Sequence, residues 1–245
     1  MEVLWNAIVE AGRMLFSGDF TVYEIVFLSL RVSGLSLLIA MVIGIPLGYL
    51  IGSRRFLGRQ LVMVIVNTGM GLPPVVVGLL VYMFLSRSGP IAELWLSISG
   101  ATSAPRWLFT VPAMIVAQVI ISTPLVTGVT AAAIGSVPRE LRLQARSLGA
   151  SAWHEAALTI KEARRGVMAA IVAGFGGIIS EVGAVMIVGG NIEHSTRVMT
   201  TAIVLEARKG NFGLALALGF ILIGISFAIN NGLTALQQSG GRYER

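Results

Sequence analysis

Val137-Pro138-Arg139-Glu140-Leu141-Arg142-Leu143-Gln144-Ala145-Arg146-Ser147-Leu148-Gly149-Ala150-Ser151-Ala152-Trp153-His154-Glu155-Ala156-Ala157 lies inside a polar segment, 136–165, that separates two long apolar runs. Proline suits the start of a helix, where its missing N–H is not needed. Glycine at 149 then divides the run into helix, break, helix, because glycine takes a left-handed backbone at little cost. About thirty residues is far more than the handful that usually join packed helices, so the segment has a task of its own. Two readings stand at this point. It is either an amphipathic surface helix that ties two spans together, or a helix lying across a membrane face, with Leu148, Ala150 and Trp153 offered to a groove on another protein.

On either side of this segment the chain is apolar. Of 245 residues, 55% are hydrophobic and 12% are charged, more apolar surface than one water-soluble core of this size can hide. The bilayer is therefore part of the solvent. Runs of about 20 apolar residues cross it as helices, which satisfy their own backbone hydrogen bonds where water cannot. Five spans are predicted, at 22–51, 61–85, 108–134, 167–190 and 212–233. Pro46 in the first and the Pro73-Pro74 pair in the second should bend or locally unwind their helices. No polar linker divides the spans, so 21–235 reads as one transmembrane domain, with 1–20 ahead of it and a tail, 236–245, behind.

Segment 1–20 lacks the basic start of a signal peptide. Trp5, Ile8, Val9, Met14, Leu15 and Phe16 are spaced along one helical face with Glu2 and Glu10 turned away, the pattern of an interfacial helix. Segments 87–106 and 191–210 read as connections on the face opposite 136–165, the first a loop and the second carrying a short helix. Eleven Lys and Arg residues fall in 53–60, 135–166 and the tail, against six on the other side. The richer side faces the cytoplasm, which puts the N-terminus outside and the C-terminus inside.

Several function classes drop out. The formal charge of +6 sits in short connections, where it sets topology rather than gripping nucleic acid. There is no G-x-x-x-x-G-K-[ST] loop, so any energy from ATP must come through a partner. Cysteine is absent, which removes disulfides, thiolate metal sites and a Cys nucleophile. His154 and His194 are single and far apart, so no metal site is assigned, and no catalytic residues can be defended.

The costly residues are those inside the spans. Asn67, Thr68, Gly69, Gly71, Pro73 and Pro74 should interrupt the second helix in mid-membrane, freeing backbone groups that must face protein or a water-filled cavity. The alternatives are a pathway or gate and a kink packed on its neighbours. Arg31 and Glu181 lie at similar depth, counted at about 1.5 Å per residue from the outer ends of their spans. An ion pair between them is predicted, because a carboxylate facing an anion's path would repel it. In a rival reading Arg31 faces the cavity as an electrostatic guide. Gly174, Gly176, Gly177, Gly183, Gly189 and Gly190 are read as close-packing positions. Arg197, Arg208 and Lys209 are either solvated or meet an acidic partner outside.

The stretch Ala145 to Trp153, with Gly149 at its centre, resembles the coupling loop, or EAA motif, of ABC importer permeases. Leu143-Gln144 and Lys161-Glu162 depart from the usual Glu-Ala and Leu-Pro of that motif. Leu28-Ser29-Leu30-Arg31-Val32-Ser33, Leu72-Pro73-Pro74-Val75-Val76-Val77-Gly78, Ser180-Glu181-Val182-Gly183-Ala184 and Asn191-Ile192 with Thr196-Arg197 are similar, in the same order, to segments of molybdate-type permeases. Ile179-Ser180-Glu181-Val182-Gly183-Ala184 followed by Val188-Gly189-Gly190-Asn191-Ile192 looks closest to the tungstate-specific branch.

The resemblance implies an all-α integral membrane protein of the MetI-like, type I importer fold: five transmembrane helices, an N-terminal interfacial helix and a cytoplasmic coupling helix. It implies a homodimeric pathway for tungstate or a related oxyanion in the cytoplasmic membrane. The implied partners are two cytoplasmic ABC ATPase subunits, a second copy of the chain, an extracytoplasmic oxyanion-binding protein and lipid. No cofactor is expected on this chain, with ATP and Mg on the ATPase. Ala145, Leu148, Gly149, Ala150, Ser151, Trp153 and Glu155 would couple to the ATPase, and Ser180 would join the pathway residues of the second span. The rival classes are a secondary transporter or channel, which typically needs an internal repeat or more spans, and a membrane-embedded enzyme, which needs more convergent polar groups than Arg31 and Glu181.

Overall fold

The computed structural model describes residues 2–16 and 20–239, and every element among them is an α-helix. In chain order these are α1 (Glu2–Phe16), α2 (Phe20–Ser53), α3 (Arg59–Met70), α4 (Pro74–Leu85), α5 (Pro90–Ser99), α6 (Val111–Gly135), α7 (Arg139–Ser147), α8 (Ala152–Glu162), α9 (Arg164–Ile179), α10 (Gly183–Gly189), α11 (Met199–Arg208) and α12 (Phe212–Ser239). Four stretches are long and apolar enough to cross a membrane: Phe20–Ser53, Pro74–Ser99, Val111–Gly135 and Phe212–Ala235. The bent pair α9 and α10 makes a fifth if taken as one span.

The differences from the expected spans have local causes. The second expected span, 61–85, is two helices. Helix α3 ends at Met70, the N–H of Gly71 turns back onto Thr68 O, and α4 starts at Pro74. Asn67, Thr68 and Gly69 are still helical, so the interruption begins at Gly71. The expected loop 87–106 contains α5, whose boundary signals are Pro90 at the first helical position and Gly100 in the left-handed conformation just beyond the end. Pro46 lies inside α2 without ending it, as membrane helices tolerate proline where neighbouring groups or a local adjustment satisfy the freed carbonyl. Helix α12 runs on to Ser239, four residues into the expected tail; the rest of the tail and the side chains of Glu2, Leu15 and Phe16 lie outside the described residues. In α1, Trp5, Ile8 and Val9 are exposed as expected, while Ala7 and Ala11 are buried.

The chain folds as two compact units. Unit 1 comprises Met1–Ser36, Pro73–Ile120 and Ile178–Ala228, and unit 2 comprises Leu37–Leu72, Ile121–Gly177 and Ile229–Arg245. The core of unit 1 gathers Ala11 of α1, Val22 and Ile25 of α2, Met199 and Ala202 of α11, and Ala217, Leu218 and Ile221 of α12. Beside it α4 packs on α10 through small residues. A Cβ on Gly78 would stand 2.6 Å from Ala184 Cα, and one on Gly183 would stand 2.6 Å from Val75 Cγ2. This is the close approach that drives helix association where lipid removes the hydrophobic effect.

The core of unit 2 is built from Ile134, Val137, Ala163, Val167 and Ile171, with Ile45 and Tyr49 of α2 packed against it. One close seam in it was not foreseen. Gly44, Gly48 and Gly52 recur every fourth residue along α2, and Cβ atoms there would meet Val126 at 3.0 Å, Thr130 at 2.6 Å and the Ala131 carbonyl at 2.6 Å on α6. Gly69 meets Pro124 of α6 in the same way, at 2.8 Å.

Candidate functional site

In unit 2 the turn between α7 and α8 is set by a small number of hydrogen bonds. Gly149 has φ of 83°. Its N–H donates to Arg146 O at 2.9 Å, and the N–H of Ala150 donates to Ala145 O at 3.0 Å. These are the two bonds of a Schellman terminator, which satisfy carbonyls that the end of α7 leaves free. Ser151 then caps α8: its Oγ accepts from His154 N at 3.4 Å and lies 2.7 Å from His154 Nδ1. The two helices are braced by Arg146, whose Nε donates to Glu155 Oε2 at 2.6 Å. The hydrogen bond to Glu155, with its charge, raises the pKa of the Arg146 guanidinium, so the brace is charged throughout the working range.

The seven residues expected at this turn therefore divide by task. Leu148 is 88% exposed and Trp153 is 81% exposed, on either side of Gly149. Large apolar side chains held out from a braced, capped turn are suited to contact another protein. Ala145 and Glu155 are buried and hold the turn's shape. Gly149 and Ser151 direct the chain, and Ala150 is half-buried between them.

In unit 1 the second feature is the break in the fifth candidate span, at Ser180 to Val182. A break inside an apolar layer leaves carbonyls that need donors. Here Gln118 Nε2 donates to Ile178 O at 3.3 Å, and Thr200 Oγ1 donates to Glu181 O at 2.9 Å. Ser29 Oγ accepts from Met199 N at 2.8 Å and donates to Ile25 O at 2.7 Å, tying the start of α11 to α2. Around these groups is a small cavity of about 10 Å³, lined in part by Ser29, Ser33, Gln118, Glu181 and Thr200. Ser180 is exposed at the break.

Among the described residues no ion pair joins Arg31 to Glu181, which corrects the expectation. Glu181 Oε1 instead accepts from Ala184 N at 2.9 Å, in the first turn of α10. The depth count assumed an unbroken helix. The break creates a helix N-terminus beside Glu181, where unbonded N–H groups and the helix dipole favour a carboxylate. Arg31 lies on an exposed face of α2. Gln118 and Thr200 were missed as groups that satisfy the break, and Ser29 as the tie between α11 and α2; their signal was polarity inside otherwise apolar runs.

Of the other expected pathway residues, Asn67, Thr68 and Pro73 are exposed, while Gly69 and Pro74 are half-buried. In the segment 190–198 of unit 1, Glu24 Oε2 lies 2.7 Å from His194 Nδ1, and this hydrogen bond raises the histidine's pKa. Arg197 pairs with Glu193 at 3.0 Å and Lys209 with Glu206 at 2.8 Å, so two of the three cations expected on the outer side already have partners within the chain.

Residues 44–239 match the family described as binding-protein-dependent transport system inner membrane component. A probable anion ABC transporter permease protein of Haloferax volcanii is 42% identical over 84% of this chain and 87% of its own length. The tungstate uptake system permease protein TupB of Peptoclostridium acidaminophilum is 38% identical over 97% of this chain and 100% of its own. Among solved structures, a chain of a bacterial ABC transporter involved in the import of the acidic polysaccharide alginate superposes with a TM-score of 0.78. It is 23% identical, with 94% of this chain and 83% of that chain covered.

Proposed function

The chain belongs to the family of binding-protein-dependent transport system inner membrane components, and from that membership we propose that it is the permease subunit of an ATP-driven tungstate importer. As a multi-pass membrane protein it supplies the pathway and not the energy. Two copies line the route, and each docks one cytoplasmic ATPase subunit that carries ATP and Mg. An extracytoplasmic binding protein delivers the oxyanion. The N-terminus lies outside and the C-terminus inside, consistent with the excess of basic residues in 135–166.

The observation that carries this reading is the turn at Gly149. A Schellman terminator, a serine cap and the Arg146–Glu155 brace hold Leu148 and Trp153 out from the surface. A merely connecting loop has no need of that rigidity, whereas a lever that transmits ATPase closure does. Nucleotide binding favours one of two packings of the helices, and the turn passes that bias into the membrane. Asn67, Thr68, Gly69, Pro73, Pro74 and Ser180 are assigned to the pathway, near the helix interruptions that begin at Gly71 and Ser180. Glu181 positions the second break. Tungstate as cargo is supported by the near full-length similarity to a tungstate permease protein.

The test is uptake of radiolabelled tungstate into vesicles holding this chain, its ATPase subunit and its binding protein. Uptake should require ATP inside and the binding protein outside. Uptake driven by an ion gradient without ATP would establish a secondary transporter instead.

A further inference from the structure

A cleft of about 350 Å³ opens in unit 2 where α2 ends. Its wall carries five guanidinium groups, Arg54, Arg55, Arg139, Arg142 and Arg146, against one carboxylate, Glu155. Arg146 is paired with Glu155, and Arg142 Nη1 donates to Ser53 O at 2.5 Å, at the carbonyl end of α2. A single carboxylate offsets one of five like charges, and the repulsion among the rest persists until an anion enters. Two buried atoms beside the opening point the same way. Ser53 Oγ and Arg142 Nε have no hydrogen-bond partner, and both are donors of the kind that phosphate oxygens accept.

We propose that this arginine cleft binds the phosphate of an anionic phospholipid. Three features select a lipid headgroup over a free anion. Helix α2 is long and apolar enough to span a membrane, so its last turn reaches the depth of the headgroups. Immediately after Arg55, Phe56 is exposed and Leu57 fully so, which suits apolar side chains at the acyl boundary. Leu148 and Trp153, the side chains offered to a protein partner, do not line the cleft. Basic pockets at the ends of membrane helices take phosphate headgroups by charge and hydrogen bonding together. The proposal rests on the permease reading only in that α2 crosses a membrane.

The experiment uses the full chain in phosphatidylcholine nanodiscs, with spin-labelled phosphatidylglycerol as the probe and spin-labelled phosphatidylcholine as the reference. The immobilised fraction should favour phosphatidylglycerol, and the preference should fall about fivefold for each arginine lost in Arg54→Gln and Arg55→Gln. Both side chains are exposed, so the variants should fold, and an unchanged Tm confirms it. Arg142→Gln, which also removes the bond to Ser53 O, serves as a third single variant, beside a double variant that combines Arg54→Gln and Arg55→Gln.

Inorganic phosphate, titrated into the same nanodiscs, separates the two sources. A lipid site keeps its phosphatidylglycerol. If phosphate binds the wild type but not the double variant, and phosphatidylglycerol shows no preference, the cleft holds a free anion and the lipid assignment is overturned. Equal immobilisation of both lipids, or a preference unchanged in all three variants, overturns it as well. So does a double variant that keeps the lipid preference and loses its ATPase subunit. Lipid preference in a chain that imports nothing would sink the transport reading and leave this one intact.

Discussion

Gly149 holds φ at 83°, a conformation that costs an L side chain about 1–2 kcal/mol. Gly149→Ala should therefore lower stability by about that amount while leaving the α7 and α8 sequences helical, and thermal unfolding in detergent checks it. Trp153 makes the opposite prediction. At 81% exposure it adds little to the fold, so Trp153→Ala should leave Tm within the range of surface substitutions. The same change should weaken ATPase binding about 30-fold, as the loss of a central aromatic anchor does. At Glu181 the hydrogen bond to Ala184 N separates two variants. Gln keeps an acceptor and should stay close to wild type, whereas Ala should lose about 1 kcal/mol, the usual value of an N-terminal cap. Equal damage from both variants would show that the charge, and not the cap, is what matters. His194 supplies a pH dependence. Its pKa is raised above 6.5 by the hydrogen bond to Glu24, so the pair contributes stability that is complete below the unfolded value and lost as pH rises through the folded one. The Tm difference between wild type and Glu24→Gln should accordingly shrink as pH rises from about 6 to about 9.

Among the elements, helix seams built on glycine make the firmest packing claims. Gly48→Leu should drive a side chain into Thr130 and the Thr127 carbonyl, an overpacking penalty of about 1–3 kcal/mol. Gly34→Leu, on the same helix but with nothing within 4 Å of its Cβ position, should be nearly neutral. Equal losses in thermal unfolding would contradict the seam. The contrast also shows where the sequence was legible. Apolar length, the helix-glycine-helix pattern around Gly149 and the Pro73-Pro74 break were all local signals, and all appear as elements. The Gly44, Gly48, Gly52 stripe was equally local, at the small-residue spacing of membrane helices, and was overlooked. The break at Ser180 to Val182 was not local. It contains no proline, and its carbonyls are satisfied by Gln118 and Thr200, far away in the chain. The Arg31–Glu181 pairing failed for the same reason, because depth along an unbroken helix was the wrong coordinate once the span was bent.

At the scale of the whole molecule, the chain carries two kinds of irregularity. Breaks at Gly71–Pro73 and Ser180–Val182 interrupt the helices, the first just ahead of the candidate span Pro74–Ser99 and the second inside the bent pair α9 and α10. The turn at Gly149 lies in the polar segment between spans, where an external source of work can act. The claim that joins them is that the turn is the contact through which ATP is felt. The chain has no cysteine, so Trp153→Cys or Ala150→Cys introduces a single reactive thiol. The decisive measurement is cross-linking from that thiol in native vesicles that still import tungstate. The account predicts a covalent adduct with the ATPase subunit whose yield changes on adding ATP, and none from a thiol placed at exposed Ile223. Vesicles that transport normally while both turn positions remain unlinked to any ATPase would contradict it.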